Sequence, residues 1–95
     1  MQVEFDPEKN AANLKKHGVS LDEAGEGLLD PLALVREDGT AEGEARFVLV
    51  GMSLDGRLLT VCYTLREEKE EEEMIRLISG RKATRRETRQ YAEGI

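Results

Sequence analysis

The chain has 95 residues, a net charge of −6 and a charged fraction of 36%, which suits one domain, residues 1–95, with a single modest core. The acidic balance argues against a general nucleic-acid coat protein, and an aromatic fraction of 4% argues against a stacking platform for single strands. The sequence contains no apolar run long enough to span a membrane and begins without the features of a signal peptide. We therefore expect a cytoplasmic protein with no membrane partner.

The N-terminal third of the chain predicts one strand and two helices. These are a strand over residues 2–5, a helix over 7–17 and a helix over 21–29. Asp6 is typical of an N-cap and Pro7 of the first helical position, and Gly18 is suited to end that helix in the left-handed conformation. Ser20 with Glu23 has the spacing of a capping box, which predicts the start of the second helix.

The rest of the chain predicts a sheet and a last helix. We expect strands over residues 32–37, 45–52, 57–66 and 73–80, followed by a helix over 82–93. Asp55-Gly56 between two apolar runs predicts a tight hairpin, whereas residues 37–44 predict a loop. The acidic run 67–73 lacks the glycine or asparagine of a tight turn, so it predicts a longer solvated loop or an extended ribbon. The predicted fold class is α+β, with the two N-terminal helices and the C-terminal helix packed on one face of a twisted antiparallel sheet.

Metal and nucleophile chemistry have little support in the sequence. His17 is the one histidine and Cys62 the one cysteine, and neither has a second ligand at metal-binding spacing. Cys62 lies in the apolar run LLTVCYTL, which is typical of a buried and inert thiol. The sequence also lacks a glycine-rich phosphate loop. We therefore predict a protein without a metal or another cofactor.

Arginine is the residue type that indicates a function. The glutamates of residues 67–73 are followed by a basic segment with the cations Arg76, Arg81, Lys82, Arg85, Arg86 and Arg89. Arg46, Arg57 and Arg66 lie at the ends of predicted strands, and Arg76 lies inside one. Guanidinium groups that converge on one sheet face match phosphate oxygens, which predicts a phosphodiester-binding surface. The alternative for Arg76 is a solvated sheet position, where it pairs with a glutamate of the acidic run.

His17 follows Lys16 at the end of the first predicted helix. A cation at this end of a helix is favoured by the helix dipole, which is a sufficient structural reason for a histidine there. Imidazole also titrates near neutral pH, so a role as general acid or base is the alternative. The sequence leaves both interpretations open.

Four segments of the chain together resemble one known family. They are VEFDPEKNAANLKKHGVSLDEA, DPLAL, GEARFVLVGMSLDGRLLTVCYTLR and IRLISGRKATRRETRQYAE. In this order and spacing they resemble BrnT, the toxin family of the BrnT/BrnA type II toxin–antitoxin systems of bacteria. The resemblance covers nearly the whole chain, and the patterns DPxKxxxNxxKHGVS and RxISxRKATRRE carry it together.

The resemblance implies a RelE-like fold and a ribonuclease that blocks translation. It also implies neutralisation by a BrnA antitoxin with a ribbon–helix–helix DNA-binding part. The complex would repress its own operon, so operator DNA would be contacted only through the antitoxin, with a dimer expected within the complex. The functional surface implied by the resemblance consists of positions that here read Lys16, His17, Glu44, Arg46, Arg66, Arg76 and Arg81.

Two features depart from the usual pattern of the family. Its members usually have a tryptophan where this chain has Phe5, which affects packing more than chemistry. They usually have a short turn where this chain has EEKEEEE at residues 67–73. Such an anionic loop would repel RNA over roughly one Debye length, ~8 Å at physiological salt, unless it points away from the basic segment.

The residues and the resemblance together lead to two functional hypotheses of different classes. In the first, a metal-independent endoribonuclease, His17 or Glu44 is the general base or acid for attack by the ribose 2′-OH, and arginines stabilise the phosphorane. The expected clamp is Arg66, Arg76 and Arg81, and the further RNA-binding cations are Lys16, Arg46, Arg57, Lys82 and Arg85. The second is a binding module with weak or no catalysis that acts through its antitoxin in operon autoregulation. Direct DNA binding is the weakest alternative, because the sequence lacks a recognition-helix pattern.

Overall fold

The computed structural model describes residues 2–41, 43–67 and 72–94 and contains one five-stranded sheet with helices on both faces. The elements in chain order are β1 (Gln2–Glu4), α1 (Pro7–His17), α2 (Leu21–Glu26), a short 3₁₀ turn (Gly27–Leu29), β2 (Leu34–Ala41), β3 (Glu44–Met52), β4 (Leu58–Glu67), β5 (Glu73–Lys82) and α3 (Arg85–Glu93). The sheet order is β1-β5-β4-β3-β2, with β1 parallel to β5 and the other neighbours antiparallel. This arrangement confirms the predicted α+β fold class. Among the described residues, no helix is long and apolar enough to cross a membrane.

The first two helices begin where the sequence predicts. The Asp6 carboxylate accepts a hydrogen bond from the first turn of α1 at 2.8 Å, and Gly18 ends that helix at φ 70°. The Ser20 hydroxyl accepts from the backbone of Glu23 at 3.0 Å and caps α2. The carboxylate of Glu23 binds Arg57, so the structure contains half of the predicted capping box. The last predicted turn of this helix is a 3₁₀ turn, which shortens α2 relative to the prediction.

The core lies between the two N-terminal helices and one face of the sheet. Its buried members are Val19, Leu21, Ala24, Leu49, Leu59, Val61, Tyr63, Ile75 and Leu77. Side chains alternate across a strand, so Leu59, Val61 and Tyr63 of β4 all face the helices. Ile75 and Leu77 of β5 face the same side, as their spacing predicts. The opposite side of the sheet is called the open face below.

Buried hydrogen bonds of the Asn13 side chain connect α1 to β5. Its side chain is 6% exposed and donates to the carbonyl groups of Val19 at 2.7 Å and Gly80 at 2.8 Å. The Gly80 N–H donates back to the Asn13 amide oxygen at 3.2 Å. A Cβ atom on Gly80 would lie 2.7 Å from the Cβ of Ala24, so a glycine at this position allows α2 to lie directly on β5.

The loop predicted over residues 37–44 is wrong for residues 37–41 and 44, which lie in strands, while Gly43 lies in a turn and residue 42 lies outside the described residues. β2 continues through Ala41 and forms an antiparallel hairpin with β3. The pairing shifts register between Glu37 and Thr40, and Gly39 lies between them at φ 84°. A bulge with a left-handed glycine accommodates turn-forming residues within a strand, so this composition bends β2 without ending it.

The last helix differs from the prediction in its start and in its face. Lys82 still belongs to β5, and α3 begins after the N-cap Thr84, whose capping box with Glu87 is complete. The hydroxyl of Thr60 donates to Glu87 Oε1 at 2.8 Å. Thr60 lies on the open face, because its neighbour Leu59 faces the core. α3 therefore lies on the face opposite to α1 and α2, which corrects the prediction that all three helices share one face.

The other strand connections are closer to the prediction. The hairpin at Asp55-Gly56 is confirmed, with Gly56 at φ 82° and β3 paired with β4 on either side. β4 and β5 pair as far as Glu67 opposite Glu73, so both ends of the acidic run belong to strands. The loop or ribbon predicted for the middle of this run concerns residues 68–71, which lie outside the described residues.

Candidate functional site

A line of side chains crosses four strands of the open face. Arg46 of β3 is in register with Thr64 of β4, which is in register with Arg76 of β5, and Glu4 of β1 lies beside Arg76. Neighbouring strands are about 4.8 Å apart, so these four residues form a line about 15 Å long. We call this line, Arg46, Thr64, Arg76 and Glu4, the arginine row. The arginine row places Arg46 and Arg76, two of the arginines predicted to bind or cleave RNA, on one surface, and their roles remain predictions.

Glu44 lies between two guanidinium groups next to the arginine row. Its Oε2 is 3.8 Å from Arg66 Nη1, and its Oε1 is 4.0 Å from Arg76 Nη1. Arg76 also donates to Glu4 Oε1 from Nε at 3.1 Å and from Nη2 at 3.0 Å. The side chains of Arg66 and Arg76 are both 42% exposed. Exposed ion pairs are weak, so these guanidinium groups can exchange a glutamate for a phosphate group.

Arg81 is held at the other end of β5 by α3. Its Nη1 donates to Glu87 Oε1 at 2.8 Å and its Nη2 to Glu87 Oε2 at 3.0 Å. Arg81 and further hydrogen bonds from Thr84 and Thr60 lower the pKa of Glu87 to about 2. The same pairing raises the pKa of Arg81. Arg81 and Arg76 lie five residues apart, about 16 Å along a strand, so the structure separates Arg81 from the two other arginines of the predicted clamp.

His17 and Lys16 lie on the other side of the sheet from Glu44. They form the last turn of α1, which packs on β5 from the core side. Gly18, the next residue, accepts a hydrogen bond from Arg57 at 3.1 Å. Arg57 precedes β4 and Arg66 lies near its end, about 30 Å further along an extended strand. The structure therefore does not bring His17 together with the guanidinium groups around Glu44, and its position fits the helix-dipole interpretation.

Arg57 joins the β3–β4 hairpin to α2. Its Nε donates to Glu23 Oε2 at 2.8 Å, and its Nη2 donates to Glu23 Oε1. The Ser53 hydroxyl donates to Glu23 Oε2 at 2.9 Å. This pairing lowers the pKa of Glu23 and raises that of Arg57. Arg57, predicted from the sequence to bind RNA, thus holds two elements together at the end of the sheet remote from the arginine row.

Two more predicted RNA-binding cations lie near the start of α3. Lys82 is the last residue of β5 and Arg85 the first of α3, and both side chains are exposed. Arg86 and Arg89 of the same helix are exposed as well. These cations form a surface separate from the arginine row.

A groove of about 540 Å³ lies between α3 and the strands β2 and β3. Leu34, Val48 and Val50 give it an apolar floor, and Arg36 and Arg86 also line it. The other lining residues are Val35, Thr84, Glu87 and Gln90. An apolar floor with two neighbouring cations suits a segment that is both apolar and acidic.

Neither Cys62 nor the acidic side chains of the described residues give support for a nucleophile or a metal site. The Cys62 thiol is partly buried on the open face, and this burial raises its pKa, which disfavours the reactive thiolate. Within residues 2–41, 43–67 and 72–94, no group of three or more His, Cys, Asp or Glu side chains is placed to hold a metal ion.

Sequence reasoning missed two members of the arginine row, Thr64 and Glu4, of which Glu4 contacts Arg76. Glu4 lies in the short strand β1, and the parallel pairing of β1 with β5 places it beside Arg76. The sequence indicates an acidic residue next to apolar positions of a strand, but it does not indicate which strand is the neighbour. The alternative interpretation of Arg76 pairs it with a glutamate of the acidic run, whose residues 68–71 lie outside the described residues. The structure shows Glu4, from the other end of the chain, as a partner of Arg76.

The chain is similar to known proteins in sequence and in fold. Residues 5–87 match the family model of the ribonuclease toxin BrnT of type II toxin–antitoxin systems. The fold is similar to the 1.1 Å crystal structure of the Brucella abortus ribonuclease toxin BrnT, with a TM-score of 0.59 and 20% sequence identity over 90% of this chain and 99% of that chain. The comparison with curated proteins gives no match. Since the family match covers most of the sequence, the chain belongs to the BrnT family of ribonuclease toxins of type II toxin–antitoxin systems.

Proposed function

We propose that this chain is an endoribonuclease toxin that cleaves RNA without a metal ion and thereby inhibits translation. Membership of a family of ribonuclease toxins supports the reaction class. The observation that carries the proposal is the position of Glu44 between the guanidinium groups of Arg66 and Arg76. A carboxylate that accepts a proton and cations that stabilise a phosphorane would then act on one substrate phosphate. A toxin that acts on translated RNA would work in the cytoplasm.

The proposed step is attack by the ribose 2′-oxygen on the adjacent phosphorus. Glu44 takes the 2′-OH proton, a bond forms from the 2′-oxygen to phosphorus, and the bond from phosphorus to the 5′-oxygen breaks. The leaving oxygen takes a proton from water, and the products are a 2′,3′-cyclic phosphate and a 5′-hydroxyl. Arg66 and Arg76 donate to the non-bridging oxygens, where negative charge increases in the transition state. His17 and Lys16 have no role in this step, because they lie on the other side of the sheet from Glu44.

The test is RNA cleavage by the purified chain in the presence of EDTA. We expect Arg76→Ala to lower the cleavage rate by a factor of 100 or more, on the order of the ~2.7–4 kcal/mol lost with one preorganised donor. Its melting temperature should change little, because the pair with Glu4 is 42% exposed on both sides and such pairs contribute about 0–1 kcal/mol. Glu44→Gln should also lose cleavage.

Arg89→Ala is the matched control. It removes the same side chain from an exposed position on α3 and should keep the wild-type rate. A destabilised Arg76→Ala variant with full activity per folded molecule would remove Arg76 from the cleavage site. Cleavage that needs added Mg²⁺ would contradict the metal-independent mechanism.

A binding module without catalysis is the second candidate. The observation in its favour is that Glu4 and Glu44 already neutralise the guanidinium groups that would bind a substrate. In this case the wild-type chain binds its antitoxin and cleaves no RNA in EDTA or Mg²⁺. The same cleavage assay, with a binding measurement on the same preparation, separates the two functions.

The proposed partner is a BrnA-type antitoxin with a ribbon–helix–helix part, which alone contacts operator DNA. The exposed cations of α3 and the groove beside it support an acidic, partly apolar antitoxin segment as the contact. We expect Arg86→Glu, in the groove, to weaken the complex at least tenfold, and Lys15→Glu, at an exposed position of α1, to leave the affinity unchanged. Equal effects of the two variants would exclude the groove, and no complex at micromolar concentration on co-expression would exclude the partner.

A further inference from the structure

Two polar atoms in the arginine row are buried without a hydrogen-bond partner among the described residues. They are Thr64 Oγ1 and Arg46 Nε, and Thr64 is 4% exposed. Leaving a buried donor or acceptor unpaired costs about 1–3 kcal/mol, so folded proteins rarely do it. Two such atoms on residues that are in register on adjacent strands therefore need an explanation.

A second buried threonine on the same face, Thr60, does have a hydrogen-bond partner, so the lack of one among the described residues is specific to the position of Thr64. Thr60 lies four residues before Thr64 on β4 and is 5% exposed, so the two side chains are equally buried. The Thr60 hydroxyl donates to Glu87 Oε1 at 2.8 Å. The open face thus satisfies one threonine hydroxyl within the protein and leaves the other between Arg46 and Arg76.

The two unpaired atoms suit an anion with several oxygens. A threonine hydroxyl and an arginine Nε–H are both donors, and side chains directly opposite on neighbouring strands have Cβ atoms about 5 Å apart. Both donors can therefore reach oxygens of one tetrahedral group. Arg76 borders Thr64 on the other side and adds a fork of donors of the kind that matches phosphate.

We propose that Thr64 Oγ1 and Arg46 Nε, beside Arg76, form a seat for a backbone phosphate of RNA. The identification of the anion as RNA rests on the proposed function. Thr64 contacts the non-bridging oxygens of the phosphate and exchanges no proton with it. Access requires the flanking guanidinium group of Arg76 to leave Glu4, and this exposed ion pair is weak enough for a phosphate to replace.

Thr64→Val tests the seat, because it removes the hydroxyl and keeps the shape of the side chain. With a short 2′-O-methyl RNA, which the chain cannot cleave, we expect about tenfold weaker binding, as for the loss of one hydrogen bond to a charged group. The melting temperature should stay the same or rise, because the variant no longer buries an unpaired hydroxyl. Thr64→Ser keeps the hydroxyl and should keep the affinity.

Thr60→Val is the matched control with the opposite expected result. It makes the same substitution on the same strand and face, should lower the melting temperature because Thr60 bonds Glu87, and should leave RNA affinity unchanged. Unchanged affinity of Thr64→Val, or a lower melting temperature of Thr64→Val than of the wild type, overturns the seat. So does a wild-type chain that does not bind the oligonucleotide.

The binding measurement separates this inference from the proposed function. A wild-type chain that binds the oligonucleotide through Thr64 but cleaves no RNA keeps the seat and contradicts the ribonuclease. A wild-type chain that cleaves RNA while Thr64→Val binds equally well keeps the ribonuclease and contradicts the seat.

Discussion

Replacing Glu87 with glutamine tests whether one carboxylate holds α3 on the open face. Glu87 accepts hydrogen bonds from Thr60 at 2.8 Å, from the backbone of Thr84 at 2.8 Å and from two nitrogens of Arg81 at 2.8 and 3.0 Å. Arg81 makes the largest contribution to the low pKa of Glu87, which is about 2. Glutamine keeps the size of this side chain, removes its charge and replaces one accepting oxygen with an NH2 group, which cannot accept a hydrogen bond from Arg81.

The sign of the pH effect follows from the lowered pKa. A carboxyl group with a depressed pKa in the folded state stabilises the protein above its unfolded-state pKa of about 4.3, and this stabilisation is lost as the pH falls toward the folded-state value. For Glu87, with a pKa of about 2, the window is therefore about pH 5 to pH 2. The full shift corresponds to about 3 kcal/mol, and solvent screening around the partly exposed Arg81 reduces it to about 1–2 kcal/mol.

Urea denaturation, monitored by circular dichroism, measures the contribution of the Glu87 charge to the free energy of unfolding. At pH 7 we expect Glu87→Gln to lower the free energy of unfolding by about 1–2 kcal/mol. Between pH 5 and pH 2 the free energy of unfolding of this variant should decline less than that of the wild type. Glu93→Gln removes the same charge from an exposed position at the end of α3 and should behave as the wild type. Equal stability of the two variants at pH 7, with an equal decline toward pH 2, would show that the charge of Glu87 does not stabilise the contact between α3 and the sheet.

Three further predictions concern the core and the arginine row. Asn13→Ala should lower the free energy of unfolding by about 2–4 kcal/mol in urea, because the backbone of Gly80 loses two buried hydrogen bonds; a loss below 1 kcal/mol would contradict this. Gly80→Ala should cost about 1–3 kcal/mol by forcing a methyl group against Ala24, and wild-type stability would show that α2 adjusts freely. Glu4→Gln should weaken the hold on Arg76 and raise the affinity for uncleavable RNA a few-fold at low salt, as measured by an anisotropy titration. The gain in affinity should decline at high salt. Equal or weaker binding would show that the Glu4–Arg76 pair does not compete with RNA.

Local signals in the sequence predict the parts of this fold that depend on a few neighbouring residues. The cap at Asp6, the left-handed end at Gly18 and the turn at Asp55-Gly56 all appear where the sequence predicts them. Each depends on backbone dihedral angles and hydrogen bonds within one turn of chain. The loop predicted over residues 37–44 is wrong for residues 37–41 because pairing with β3 outweighs the local preference of their turn-forming residues.

The composition of the candidate site follows from the sequence, while its geometry does not. The sequence shows the arginines near the ends of predicted strands and the acidic residue Glu44. The alternation of side chains along a strand also shows which residues share a face. Strand order and register are long-range properties, and they alone place Glu44 between Arg66 and Arg76 and leave His17 behind the sheet. The helix starts at Asp6 and Ser20, the hairpin turn and the arginine-rich composition therefore follow from the sequence, because they depend on near neighbours. Which charges meet is a property of the tertiary structure, because β1, β3, β4 and β5 bring together residues that lie far apart along the chain.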